Sequence, residues 1–229
     1  MILNELIQRI QSLYSKGVQS DDSRLKARHI YNKITTVRAK LLSQRKNKKQ
    51  ASSQWNYQTI CIPVRKASIS ECKGIPKGIC EIYRSKEPIP NIITSMRGHL
   101  IQSVTSLDGS ILFSEIKWSE KKYKAAAKYT ANTPDYFIRD DYMYFTSPKP
   151  PKVITLTALF EDPVLANTHG ECCEDCEDCD SPLDLEFPID RNLIEPLVDM
   201  AALELIEKFN TNQEDLRPDT RDNTAEQTK

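Results

Sequence analysis

Asp135-Tyr136-Phe137-Ile138-Arg139-Asp140-Asp141-Tyr142-Met143-Tyr144-Phe145 places aromatic and branched residues on both sides of a short charged reversal. Aromatic and β-branched side chains suit a pleated, half-buried surface, and aspartate tolerates a tight turn. The stretch therefore predicts a β-hairpin. Downstream, residues 153–160 (Val-Ile-Thr-Leu-Thr-Ala-Leu-Phe) predict a further strand, stopped by Asp162-Pro163. The proline-rich joint Pro148-Lys149-Pro150-Pro151 and Pro163 predict stiff corners.

Upstream, residues 99–106 and 111–116 flank Leu107-Asp108-Gly109-Ser110, and Asp-Gly is a strong tight-turn signal, so a second hairpin is expected there. Between the hairpins, residues 118–129 contain Ala125-Ala126-Ala127 and predict a short helix. Residues 69–90, broken by Gly74, Pro76, Gly78, Pro88 and Pro90, predict short strands and loops. Earlier still, Trp55, Tyr57, Thr59, Cys61 and Pro63 alternate with Asn56, Gln58, Ile60 and Ile62 at strand spacing.

Both ends of the chain change period. Leu3, Leu6, Ile7, Ile10, Leu13 and Tyr14 recur every three or four residues and predict a helix that stops at Gly17. Asp21 or Asp22 can cap a second helix, in which Ala27, Ile30, Ile34, Val37 and Leu41 form a seam. Its basic end at 45–49 suits the negative pole of the helix dipole. Asp190 can cap a last helix through Phe209, with an apolar stripe from Leu193, Ile194, Leu197, Met200, Ala201, Leu203, Leu205 and Ile206. Pro196 costs little if that helix begins near Asn192.

The expected fold class is α+β. An N-terminal helical hairpin and a C-terminal helix form a small bundle, and an antiparallel β-rich region is inserted between them. The expected divisions are 1–52 for the helical hairpin and 53–163 for the β-rich insertion with one short helix. Then follow an acidic cysteine-rich loop at 164–189, the bundle helix at 190–209 and an extended acidic tail at 210–229.

The chain has 229 residues, of which 39% are hydrophobic and 28% charged, with 6 Gly and 13 Pro. That is globular composition, long enough to bury a core. The formal net charge is zero but uneven: residues 1–50 hold twelve Lys/Arg against three acids, and 161–229 hold five against twenty. Such ends can face nucleic acid and a basic partner, pair between neighbouring copies, or simply be solvated. No stretch reaches the roughly 20 apolar residues of a membrane span, and residues 1–16 lack the unbroken apolar run of a secretory signal. Synthesis in a cytoplasm is the expectation.

Seven cysteines, four of them within 172–179, do not resemble an evenly spaced disulfide framework. Cys173, Cys176 and Cys179 have metal-ligand spacing, and Cys172 or His169 can supply a fourth donor. Zinc is the ion such a set takes; the competing reading is no cofactor and an acidic loop of free thiols. Five acids between His169 and Cys179 raise thiol pKa values and oppose ligation. A ferredoxin cluster is excluded, because its next cysteine and proline would fall at Leu183 and Asp184. Cys61, Cys72 and Cys80 fit no spacing pattern and are expected as buried thiols.

Catalytic signatures are missing from the sequence. His29, His99 and His169 are scattered, and no nucleophile elbow, phosphate loop or zinc-protease helix occurs. Nucleic acid has a better claim. Arg38, Arg45, Lys46, Lys48 and Lys49 form a basic helix end that can touch phosphates, although no base-stacking aromatics accompany it.

The hairpin 135–145, Val153-Ile154-Thr155-Leu156, Phe160-Glu161-Asp162-Pro163 and the last helix resemble stretches of neck proteins in podovirus-like and crAss-like phages. The overall plan resembles the head-to-tail connector (adaptor or neck ring) family. That resemblance implies a structural virion protein, not an enzyme. It implies a homo-oligomeric ring of about twelve copies linking the portal to the tail, with DNA in its lumen. It also implies that the tail docks on the portal or a neighbouring subunit, with Asn210, Leu216, Arg217 and Pro218 as contact residues. The rivals are a nucleic-acid-binding or regulatory protein with a zinc-binding cysteine loop, and an enzyme of unrecognised type.

Overall fold

A computed structural model describes residues 1–15, 17, 25–68, 82–120, 123, 133–146, 149–169 and 183–210. Its architecture is α+β: helices at both ends of the chain and a mixed sheet between them.

Helix α1 (Leu3–Tyr14) buries Leu3, Leu6, Ile7 and Ile10, the spacing its sequence predicts. Glu5 reaches back to the Ile2 amide at 3.2 Å, satisfying a donor that the first turn leaves without a partner. Helix α2 (Ala27–Asn47) starts later than Asp21 or Asp22 would place it. The residue before its first turn is Lys26, whose amide donates to His29 Nδ1 at 3.4 Å. Its buried face is Ile30, Ile34, Val37, Arg38 and Leu42, so Arg38 and Leu42 stand where the seam predicted Leu41.

Gln54–Asn56 forms a 3-10 turn, which removes Trp55 from the expected strand. Strand β1 (Gln58–Lys66) follows. It pairs antiparallel with β9 (Val153–Ala158) over Gln58↔Ala158 to Pro63↔Val153, then with β2 (Tyr83–Ser85). Strand β5 (Ile101–Ser106) lies on the other edge of β9, and the hairpin β7 (Asp135–Arg139) and β8 (Tyr142–Phe145) continues the sheet beyond β2. Asp140 and Asp141 turn that hairpin with φ of 50° and 62°, the left-handed geometry that a tight two-residue reversal needs. The little hairpin β3 (Thr94–Ser95) and β4 (Gly98–His99) stands apart, held to the end of α2 by Ser43 Oγ on the Thr94 carbonyl at 2.9 Å.

The strand order is β5-β9-β1-β2-β8-β7-β6, with β6 at Ser114–Glu115. The expected antiparallel insertion needs correction, because β6 pairs with β7 in parallel, Ser114↔Asp135 and Glu115↔Tyr136. The reason lies in the second hairpin. Its turn holds Thr105 opposite Leu112, with the Phe113 amide on the Val104 carbonyl at 2.8 Å. The chain leaving that turn then joins the far edge of the sheet. The two ends of the strand order are thus tied to each other and the sheet curls on itself.

Three apolar clusters result among the described residues, the smallest made of Ile82, Phe137 and Tyr144. Ile60, Ile62, Val104, Phe113, Met143, Phe145, Ile154 and Leu156 fill the curled sheet. Leu3, Leu6, Ile30, Ile34, Leu197 and Ala201 meet where α1, α2 and the last helix pack. The end of β9 serves both: Ala158 and Phe160 turn to the sheet cluster and Leu159 to the helical one, the alternation a strand dictates.

Two expectations near the C-terminus change. The segment 164–189, read as a loop, opens in helix α3 (Pro163–Thr168), whose Val164 and Leu165 amides both donate to Asp162 Oδ1 at 3.0 Å. Helix α4 (Arg191–Asn210) follows Asp190 and contains Pro196, as expected, but its stripe differs. Its buried stripe includes Val198 and Ala202, while Leu203 is exposed. Of the helix expected at 118–129, Trp118–Glu120 is a 3-10 turn and most of the rest lies outside the described residues.

Candidate functional site

Arg38 is wholly buried. On α2 it continues the row Ile30, Ile34 at every fourth position, so the helix aims it inward. Its guanidinium donates through Nε to the Pro188 carbonyl at 2.8 Å, through Nη1 to Phe160 at 2.7 Å and through Nη2 to Asn56 at 3.1 Å. Its Cζ lies 5.6 Å from the Phe187 ring centroid. Burial pushes its pKa down to about 10, partly opposed by Tyr31 and Asp162, so it remains a cation at neutral pH. Tyr31 itself is pushed well above the usual phenol range, by burial first and then by its hydrogen bond to Asp162. Arg38 is therefore a clamp on three chain segments. Its assignment as a phosphate contact is corrected: no phosphate can reach it.

Arg45 is also engaged, with Nη1 2.7 Å from Asp190 Oδ2. The same oxygen accepts from Asn56 Nδ2 at 3.0 Å, and the Asp190 amide donates to Asn56 Oδ1 at 2.8 Å. Lys46, Lys48 and Lys49 are exposed at the end of α2. Lys46 and Lys49 line a cavity of about 350 Å³ with Tyr57, Arg97 and His99, so α2 and the β3–β4 hairpin bring four basic side chains together.

A larger recess, about 580 Å³, opens beside the 3-10 turn. Met1, Phe187, Pro188, Ile189 and Ile194 give it an apolar lining, and Glu186, Asp190 and Arg191 are polar members. Trp55 stands on its rim with 77% of its surface exposed. Sequence reasoning missed this residue by extending β1 too far. The signal was available in Ser53, whose hydroxyl accepts from the Trp55 amide at 3.4 Å, a turn-forming habit of serine.

The second hairpin presents Leu107, Ile111 and Leu112 to solvent around Asp108. Gly109 takes φ +72° there, a conformation glycine adopts without steric cost. Hydrogen bonds from Ser106 and Ser110 lower the Asp108 pKa to about 2.

Cys172, Cys173, Cys176 and Cys179 lie outside the described residues; His169 follows the last turn of α3. Asn210 ends α4, and Leu216, Arg217 and Pro218 lie outside the described residues. Cys61 is buried in β1 as expected, but it is disulfide-bonded and not a free thiol. His29 packs against Phe209 at 5.6 Å, a bundle contact.

The fold thus presents a clamped two-layer body with exposed apolar and basic features at its surface, as an assembling subunit does. Comparison with known proteins agrees. Residues 5–224 match the family model of phage tail ring protein 2, and the chain belongs to that family. It is a bacteriophage structural protein of the crAss-like neck ring type, and its place is the virion. Among its relatives is "Ring protein 2" of Bacteroides phage crAss001, 29% identical over 214 residues, which is 90% of each chain.

Proposed function

We propose that this chain is a non-catalytic structural subunit whose copies form a ring joining the portal to the tail around the DNA channel. Membership of the tail ring protein 2 family across residues 5–224 carries that reading. A ring of about twelve copies is the stoichiometry proposed. Lys46, Lys48 and Lys49 are the residues proposed to meet the phosphates of DNA in the lumen, since they are exposed and clustered. Residues 210–229 are proposed to dock on the portal or an adjacent subunit through Asn210, Leu216, Arg217 and Pro218.

Mass photometry of the 26.2 kDa chain, alone and with the portal of the same phage, tests this. A portal peak displaced by about a dozen copies is the expected result. A portal peak that never moves, with the chain monomeric at every ratio, would sink portal docking and ring formation together.

A further inference from the structure

Trp55 is the most exposed aromatic on the described surface, and it borders the recess of about 580 Å³, whose lining is mostly apolar. An unburied tryptophan beside an apolar hollow is unfavourable in water and typical of a protein contact. The other concentration of exposed apolar side chains is the hairpin tip, where Leu107 is 63% and Leu112 is 62% exposed, with Ile111 beside them.

Their positions follow from strand register. Ser106 pairs with Ile154 and Ile154 with Ile62, whereas Gln58 pairs with Ala158 four positions away. Trp55 lies beyond the Gln58 end and the tip lies beyond the Ser106 end. At ~3.3 Å per residue the recess and the tip stand roughly 20 Å apart along the strands. One copy cannot insert its own tip into its own recess.

We propose that the 107–112 hairpin of one copy seats in the Trp55 recess of the next, forming the head-to-tail interface of the ring. The proposal rests on the ring reading above. Two unlike surfaces at opposite ends of a subunit make a heterologous contact, and repetition of such a contact through a fixed rotation closes a ring. Shape and polarity agree. The tip is a narrow projection carrying three aliphatic side chains, and the recess offers Phe187, Pro188 and Ile194 to meet them. The recess is close to neutral: Asp190 pairs with Arg45 and Glu186 lies 4.0 Å from the Met1 ammonium, which leaves exposed Arg191 on the rim to face Asp108 of the tip.

The test uses the full chain with Trp55→Ala, and separately with Leu107→Ser plus Leu112→Ser. All three residues are exposed, so melting temperatures should match the wild type and report intact folding. Each variant retains one good surface. Alone, each should be monomeric at concentrations where the wild type is fully assembled; mixed equally, they should give 1:1 dimers and no larger species. If the wild type assembles and either variant assembles equally well, or the mixture remains monomeric, the tip-in-recess contact is wrong while the ring stands. A wild type that stays monomeric with and without the portal removes both.

Discussion

At the scale of single residues, Arg38 decides how the layers are joined. Three carbonyls from separate segments, at Asn56, Phe160 and Pro188, turn inward to one guanidinium. A planar fork with five donors can serve three diverging acceptors, and a lysine ammonium at the end of a flexible stem cannot. Each buried carbonyl left without a donor costs about 1–3 kcal/mol. Arg38→Lys should therefore lower unfolding stability by about 3 kcal/mol, read from the midpoint shift in urea at constant m-value. A loss below about 1 kcal/mol would mean that water replaces the missing donors. Sequence reasoning missed the burial because it weighed Arg38 by charge. The same residue also lies four positions after Ile34 and four before Leu42, and that apolar row was legible.

Elements defined by local turn chemistry were readable. The Asp140-Asp141 and Asp108-Gly109 reversals were expected from residue type alone, because left-handed backbone restricts the choice. Both end helices were legible for the same kind of reason, since α1 buries four of the positions its period selects, Leu3, Leu6, Ile7 and Ile10, while Leu13 near its end is exposed. The parallel pairing of β6 was not legible. It depends on where the second hairpin hands the chain over, and two residues of pairing leave no period to read. Trp55 was misassigned by continuing an alternation through a turn, and so the most exposed aromatic of the recess escaped notice. Pro196 is the remaining local conflict. It sits within α4, past the first four amides that lack helical partners, so the Asn192 carbonyl loses its bond. Its side chain is exposed and packs little. Pro196→Ala should raise stability by about 1–2 kcal/mol, seen as an increase in melting temperature. An unchanged or lower value would show that the proline geometry itself orients the two halves of the helix.

For the whole molecule, the described buried core ends within α4. The three buried clusters lie within residues 3–205, with Phe209 packed at the margin of the helical one. The helical layer is also held by ion pairs inside that limit: Arg9 on Glu195 at 2.6 Å, and Lys33 and Lys40 on Glu204. Hydrogen bonding to Lys33 is the main cause holding Glu204 below the ordinary carboxylate range. Residues 211–229 contain a single large aliphatic residue, Leu216, among many polar ones, so they add little hydrophobic drive of their own. Ending the chain after Asn210 should leave the thermal unfolding midpoint within about 2 °C of the full-length value, because the buried clusters draw only on residues before that point and the removed sequence is poor in apolar residues. The same truncation should abolish co-migration with the portal, if the tail is the docking segment. The two readouts separate the cases. Loss of docking with an unchanged midpoint supports a tail that acts only between proteins. Retained docking would move the portal contact onto the body, and a lowered midpoint would make the tail part of the fold.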